Sequence, residues 1–258
     1  MVIPLKTKKE IDLMREGGKL LAQVMAQLQE RAIEGVSTKE LDKLAEELIL
    51  KYKAKPAFKN YQAKKEKGSF PFALCVSIDD VVVHGTPSDY VLRKGDVVGL
   101  DLGLEYKGYF ADMATTLIVG EAISPEVARL VKTAKKALKI GIDEIKDGVI
   151  FEAVSRKIQN YIEGQGFSVI TELCGHGIGK ELHEDPTIPN YVDKKANSHL
   201  RIKEGMVFCL EPMIAAGRAQ LEKSDDGFGY RTKDGSLTAH FEHTIALVNH
   251  KPQILTKL

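Results

Sequence analysis

The chain has 258 residues, of which 43% are hydrophobic and 28% are charged, and its formal net charge is +1 at pH 7. This length can bury a sizeable core, and the near-neutral charge excludes a strong field for recruiting nucleic acid or a membrane surface. Three cysteines without paired spacing argue against a disulfide framework and favour a reducing compartment. The N-terminus has no signal-like apolar run, and no segment reaches the ~20 apolar residues of a membrane span, so we expect a cytoplasmic protein.

The start of the chain predicts two amphipathic helices. Thr7 and Glu10 have the spacing of a capping box, and apolar residues then recur with a helical period to about residue 31. Ser37 and Glu40 repeat the capping pattern before a second helix that extends to about residue 52.

The remaining elements repeat this order. Residues 70–120 contain β-branched runs separated by Gly, Pro and Asp, which indicate strands and turns. Ser124 and a following proline predict a second helix pair over about 125–146 and 150–163. Strands predominate again from residue 167, so the order helix, helix, strands occurs twice.

Sequence similarity between the two halves predicts an internal repeat. GVSTKELDKLAEELI at 35–49 is similar to GVIFEAVSRKIQNYI at 148–162. RKGDVVGLDLG at 93–103 is similar to IKEGMVFCLEP at 202–212. Two half-domains related by a pseudo-twofold axis would bring matched strands together at the centre of the molecule.

Carboxylates recur at matched places in this repeat. Asp101 corresponds to Glu211, and the similarity of FADMATTLIV to FEHTIALV sets Asp112 roughly against Glu242. A single buried carboxylate is most simply explained by an ion pair or a turn cap, because burying it alone costs several kcal/mol. Four of them at equivalent positions are better explained by a metal site.

The residue types of this site favour two divalent ions. Carboxylates with one imidazole suit Mn, Fe, Co or Zn, and four negative charges exceed what one divalent ion requires. Asp112 or Glu242 would bridge the two ions, and the chemistry would be metal-assisted hydrolysis by an acidified water.

Three histidines are candidates for this chemistry. His176 lies in the glycine-rich stretch CGHGIG, His183 in LHEDP, and His84 in VVVHGTP at the end of an apolar run. A histidine at a strand end is more often a structural residue than a catalyst. Close to a pair of metal ions, it would instead bind the scissile peptide and transfer protons.

Five ordered motifs resemble those of the type I methionine aminopeptidases, and together they cover nearly the whole chain. The motifs are SIDDVVVHGTP (77–87), GDVVGLDLGLEYKGYFAD (95–112), CGHGIGKELHEDP (174–186), MVFCLEPM (206–213) and FEHT (241–244). The resemblance implies the α+β pita-bread fold, in which two pseudo-symmetric halves form a curved antiparallel sheet flanked by helices. It also implies a single catalytic domain over 1–258, with halves at about 1–122 and 123–258.

The resemblance further implies a set of five ligands for two divalent metal ions, Co, Mn, Fe or Zn. These ligands are Asp101, Asp112, His176, Glu211 and Glu242. Asp112 and Glu242 would bridge the ions and Asp101 would chelate one of them. His176 and Glu211 would bind the other ion.

Catalytic and substrate-binding residues are also implied by the resemblance. The catalytic residues would be His84, His183 and Glu211, with Glu211 as the proton shuttle. The substrate would be contacted by His84, His183, Tyr61, Cys75 and Phe228. It would be the initiator methionine of nascent polypeptides, removed when the next residue is small. We expect a monomer that reads no nucleic acid and binds no membrane, with ribosome docking left open.

The chain departs from the usual family pattern around the expected substrate pocket. Gln62 stands in place of a usual His, and Gly103 in place of a usual Thr. Leu182 stands for a frequent Phe, and Phe228 for a frequent Trp. The AKKEKGSFPF segment is also longer than usual. These changes predict an altered pocket and an altered loop at its rim.

Two other functions compete with this interpretation. Xaa-Pro dipeptidases and aminopeptidase P share the fold and the five ligands, and Gly103 slightly favours them. They carry an additional N-terminal domain and usually Asp-x-Thr-Arg-Thr, whereas this chain has Asp-Met-Ala-Thr-Thr from Asp112. A non-catalytic peptide- or RNA-binding relative would usually have lost metal ligands.

Overall fold

Both predicted helix pairs form in the computed structural model, which describes residues 3–62, 68–193 and 199–258. The helices are α1 (Lys8–Arg31), α2 (Thr38–Lys51), α3 (Pro125–Glu144) and α4 (Phe151–Gly164). Both predicted capping boxes are present, and Ser124 caps α3 with a proline in its first turn. The predicted bounds agree to within two residues, because caps and helical periodicity are local signals.

The strands of the described residues are short except for one long hairpin, β4–β5. Their bounds are β1 Lys55–Pro56, β2 Leu74–Ile78, β3 Val81–Val83, β4 Val97–Tyr106, β5 Tyr109–Ile118, β6 Ser168–Val169, β7 Gly175–Gly177, β8 Glu184–Ile188, β9 Val207–Leu210, β10 Met213–Ala215, β11 Leu221–Lys223, β12 Tyr230–Thr232, β13 Thr238–His240, β14 His243–Val248 and β15 Lys251–Ile254.

These strands form antiparallel sheets that belong mainly to one half or the other. In the first half β5 pairs along the whole length of β4, whereas β2 and β1 pair with successive segments of β4. In the second half the order is β15-β14-β9-β7-β8, with a smaller sheet β13-β10-β6. A fourth sheet, β11-β12-β3, joins the halves directly because β3 comes from the first half and β12 from the second.

Main-chain bonds also connect the halves at β5. The amide of Glu242 donates to the carbonyl of Ala114 at 3.0 Å, and the reverse bond measures 3.4 Å. The Thr244 hydroxyl accepts from the amide of Asp112 at 2.9 Å and lies 2.8 Å from its carbonyl oxygen. The start of β14, in the second half, therefore lies directly beside β5, the strand that carries Asp112.

The two halves repeat one hydrogen bond at positions that correspond to within one residue. Gly35 donates to the carbonyl of Leu92 at 2.9 Å, and Gly148 donates to the carbonyl of Ile202 at 2.9 Å. Both glycines have positive φ, +88° and +79°, a conformation that glycine adopts without steric cost. Each bond links the turn before the second helix of a pair to the segment that leads into a central strand.

Each half has its own apolar core, and a third apolar cluster lies between them. The first core packs α1 and α2 on β2 and β4, and the second packs α3 and α4 on β9 and β14. The third cluster includes Phe58, Phe70, Cys75 and Leu182. This central cluster contacts strands from both halves and lies beside the site described next. Among the described residues, the helices are too short or too polar to span a membrane.

Candidate metal centre

The hairpin β4–β5 positions the two aspartates of the first half. Asp112 on β5 pairs with Gly103 on β4, two residues after Asp101, so the two carboxyl groups are diagonal neighbours on one face. Their carboxyl groups are close enough that each affects the pKa of the other. The glycine at 103 leaves the Asp112 side chain without a bulky neighbour directly across the hairpin.

The second half brings three further side chains to the same place. Glu242 lies immediately before β14, and one carboxylate oxygen each from Asp101, Asp112 and Glu242 lie within 4.8 Å of one another. His176 lies on β7 and Glu211 follows β9. The His176 Nε2 atom lies 3.7 Å from Glu211 Oε1. All five residues predicted as ligands therefore meet at the junction of the halves.

Burial makes this cluster electrostatically unusual. Asp112, Glu211 and Glu242 are 4%, 9% and 3% exposed, and no Lys or Arg in the described part of the chain neutralises them. Burial raises the pKa of the Asp112 carboxyl to about 7. It also raises the pKa values of Asp101, Glu211 and Glu242, and the charge of Asp112 adds to each shift.

Unsatisfied acceptors show that the cluster fits divalent cations. The buried atoms Asp101 Oδ1, Asp112 Oδ1 and Glu242 Oε1 have no hydrogen-bond partner among the described residues. Each such atom costs about 1–3 kcal/mol, or more when charged, so three at one point require a compensating ligand. Oxygen donors with one imidazole suit divalent ions of the Mn, Fe, Co and Zn type.

A prediction about the metal-free protein follows from these shifts. Because folding raises the pKa of Asp112 from 3.8 to about 7, the folded state binds protons more tightly than the unfolded chain. The free energy of unfolding should therefore fall as the pH rises through 7. Burial lowers the pKa of His176 to about 3, so this histidine makes the free energy of unfolding rise with pH. That opposing effect ends at about pH 6.5, where the histidine of the unfolded chain loses its proton.

The measurement is thermal unfolding of chelator-treated protein at pH 7 and pH 8. We expect the lower melting temperature at pH 8, and we expect added Mn²⁺ to raise it more at pH 8 than at pH 7 because ions and protons compete for the same oxygens. A metal-free protein that becomes more stable between these two pH values would contradict the prediction.

The two predicted catalytic histidines outside the ligand set have different neighbours. The ring of His183 stands edge-on to that of His176 with centroids 4.3 Å apart, and its Nδ1 lies 2.6 Å from the hydroxyl of Tyr61. His84 is exposed after β3 and has a φ of +57°, which non-glycine residues rarely adopt. Its ring packs edge-on against Tyr230.

The predicted substrate-binding residues belong to the central apolar cluster. Tyr61, Cys75 and Phe228 all pack in it. Cys75 is buried and pairs with Asp101 across β2 and β4, so the cluster reaches the carboxylates. Phe70, which the sequence motifs did not single out, packs edge-on against Phe228 with ring centroids 5.4 Å apart.

Steric crowding explains why position 103 is a glycine. A Cβ atom at position 103 would lie 2.8 Å from Cε1 of Phe58 and 3.0 Å from Cβ of Ala57. The Phe58 ring, which is buried, therefore occupies the space that a side chain at 103 would need. Leu182 is buried in the same cluster. In the longer AKKEKGSFPF segment, residues 63–67 lie outside the described residues.

Sequence reasoning missed two side chains that lie at the centre. His240 is 3% exposed, and its Nε2 atom lies 3.7 Å from Glu211 Oε2. Cys209 is fully buried, and its Sγ lies within 4.8 Å of ligand atoms of His176 and Glu242. Both stand two residues before a predicted ligand. The period-two alternation of a strand, which puts such residues on one face, is the signal that could have found them.

A buried ion pair anchors the turn that carries His183. Lys6 Nζ lies 2.6 Å from Glu184 Oε2, and the two side chains are 6% and 9% exposed. The other oxygen of Glu184 accepts hydrogen bonds from the amides of Lys180 and Glu181 at 2.7 and 3.2 Å. The N-terminal segment thus contributes to the geometry of the centre.

The comparisons with known proteins identify the family of the chain. Residues 12–249 match the model of metallopeptidase family M24. The methionine aminopeptidase of Helicobacter pylori is 45% identical over 259 residues, covering 100% of both chains. The crystal structure of methionine aminopeptidase from Thermotoga maritima has a TM-score of 0.93 and 38% identity, with 100% of both chains covered.

A prolidase structure is less similar to this chain. The prolidase from Pyrococcus horikoshii has a TM-score of 0.75 at 24% identity and covers 98% of this chain but 63% of its own. That similarity shows a shared fold only. The helix pairs, antiparallel sheets and pseudo-symmetric halves confirm the expected pita-bread architecture. The chain belongs to the methionine aminopeptidases of metallopeptidase family M24.

Proposed function

We propose that this chain removes the N-terminal methionine of nascent polypeptides when the next residue is small. The observation that supports it is the buried cluster of four carboxylates and one imidazole with unpaired oxygens, in a chain similar over its full length to methionine aminopeptidases. Both halves contribute ligands, so residues 1–258 act as one catalytic domain, with halves at about 1–122 and 123–258. The enzyme works as a monomer in the cytoplasm and needs no nucleic acid.

Two divalent ions complete the proposed centre. The residues that would hold them are Asp101, Asp112, His176, Glu211 and Glu242. When bound, the ions supply an acidified water and polarise the scissile carbonyl. Co, Mn, Fe and Zn all suit these donors.

Glu211 moves the proton in this proposal. Its buried carboxylate would accept a proton from the attacking water. It then donates that proton to the departing amine. The peptide is oriented by His84 and His183, and the Tyr61 hydroxyl fixes the His183 ring at Nδ1.

The central apolar cluster supplies the pocket for the methionine side chain. Cys75, Tyr61 and Phe228 line it, and the edge-on pair of Phe70 and Phe228 adds aromatic surface. Thioethers make favourable contacts with aromatic rings, which favours methionine over a polar side chain. Phe58 narrows the pocket on the side of Gly103.

The test of this function is a comparison of peptide substrates. Purified enzyme is supplied separately with Mn²⁺, Fe²⁺, Co²⁺ or Zn²⁺ and assayed on Met-Ala-Ser, Met-Leu-Ser and Xaa-Pro dipeptides. We expect kcat/KM for Met-Ala-Ser to exceed that for Xaa-Pro by at least about 100-fold, since the two substrates need different pockets. Preferential cleavage of Xaa-Pro would establish the dipeptidase alternative. Binding of these peptides without turnover under every metal would establish the non-catalytic one.

A further inference from the structure

The carboxylate of Glu211 lies between two imidazoles. His176 Nε2 is 3.7 Å from Oε1, and His240 Nε2 is 3.7 Å from Oε2. His176 is a proposed ligand, whereas no role has been given to His240. The Nε2 atom of His240 is buried and has no hydrogen-bond partner among the described residues.

The backbone of His240 is held from the opposite half. Its amide donates to the Thr116 hydroxyl oxygen at 2.9 Å, and the same hydroxyl donates to its carbonyl at 2.7 Å. His240 also pairs with Met213 in the sheet of β10 and β13. With the main chain fixed on two sides, the ring is preorganised toward Glu211.

The main chain and the side chain of Glu211 are held by different groups. The side-chain amide of Asn190 donates to the Glu211 carbonyl oxygen at 3.0 Å, which fixes the backbone but not the carboxylate. His240 Nε2 lies 3.7 Å from Oε2, the carboxylate oxygen that is not paired with His176. A buried N–H without an acceptor costs about 1–3 kcal/mol. Shortening the distance between His240 Nε2 and Glu211 Oε2 to that of a hydrogen bond would therefore stabilise the folded protein.

We propose that His240 is a positioning residue for Glu211, whose Oε2 accepts a hydrogen bond from His240 Nε2 while Oε1 stays directed toward His176. The role rests on the proposed function, in which Glu211 is both a ligand and the proton shuttle. Neighbours that hydrogen-bond a ligating carboxylate orient it, and losing one typically costs about 10–100-fold in metal affinity or activity.

Two variants separate hydrogen bonding from packing. His240→Leu removes the donor and keeps an apolar volume, and His240→Gln keeps a neutral N–H donor. Calorimetric titration of metal-free protein with Mn²⁺ gives ion affinity and stoichiometry. We expect His240→Leu to weaken binding of one Mn²⁺ by about 10–100-fold and to lower kcat for Met-Ala-Ser with little change in KM. His240→Gln should remain within about threefold of wild type in both measurements.

The role would be refuted if His240→Leu bound Mn²⁺ like wild type, or if both variants lost affinity equally. In a Glu211→Gln background, His240→Leu should cause no further loss of Mn²⁺ affinity, since the partner is already altered. His240→Met replaces His240→Leu if the latter does not fold. Wild type that binds Mn²⁺ without cleaving Met-Ala-Ser would refute the proposed function alone, because the affinity pattern of the variants would still test the positioning role.

Discussion

Replacement of Glu242 with glutamine is expected to lower kcat for Met-Ala-Ser by more than about 100-fold and to reduce the bound Mn²⁺ below two per chain. An effect above the 10–100-fold range of residues that only support a ligand is expected for a bridging ligand. Glu242 is 3% exposed, shares a 4.8 Å cluster with Asp101 and Asp112, and has an oxygen without a partner. Glutamine keeps the shape of the side chain and removes the charge.

The measurement combines metal analysis of dialysed protein with steady-state kinetics at saturating Mn²⁺. Glu222→Gln is the matched control, because Glu222 is exposed in β11 and pairs with Arg231 at the surface. Its variant should retain both ions and nearly all activity. A Glu242→Gln enzyme with two tightly bound ions and kcat within tenfold of wild type would show that this residue is not a ligand.

Replacement of Lys6 with methionine is expected to lower the free energy of unfolding by about 3–5 kcal/mol, because it leaves the Glu184 carboxylate buried without its cation. The ion pair measures 2.6 Å with side chains 6% and 9% exposed. At about 2–4 °C per kcal/mol, the melting temperature should drop by roughly 6–20 °C. Activity at low temperature should also fall, since Glu184 holds the turn that precedes it in the chain and carries His183.

Chemical denaturation of Lys6→Met is compared with Lys39→Met. Lys39 pairs with Asp89 at 2.8 Å, but those side chains are 52% and 89% exposed, so its loss should cost less than about 1 kcal/mol. Adding Glu184→Gln to Lys6→Met should recover part of the lost stability by removing the unpaired charge. Equal losses for the two lysine variants would mean that burial does not strengthen the Lys6 pair.

The helices and the clustering of the candidate ligands could be predicted from the sequence because their signals are local or repeated. Thr7 and Ser37 are the N-caps of α1 and α2, and each stands three residues before the glutamate that completes its capping box. The carboxylates were indicated by the repeat, since matched strands of pseudo-symmetric halves meet at one axis. The roles of these residues stay predictions until the metal and substrate experiments are done.

The remaining features depend on packing between distant segments. Lys6 and Glu184 are 178 positions apart, and neither sits in a pattern that indicates a buried partner. Thr116 and His240 are 124 positions apart, and their bonds follow from how β5 meets the second half. Pair contacts of this kind are decided by tertiary structure, which a single sequence does not report.

The contact between Phe58 and Gly103 constrains how this enzyme can evolve. A side chain at 103 would collide with the ring at 58, and with Ala57 beside it. A threonine at 103 would therefore require the Phe58 ring to shift or to be replaced by a smaller side chain, and Ala57 to move slightly. We expect substitutions at 58 and 103 to have non-additive effects on stability, so that the order in which they arise matters.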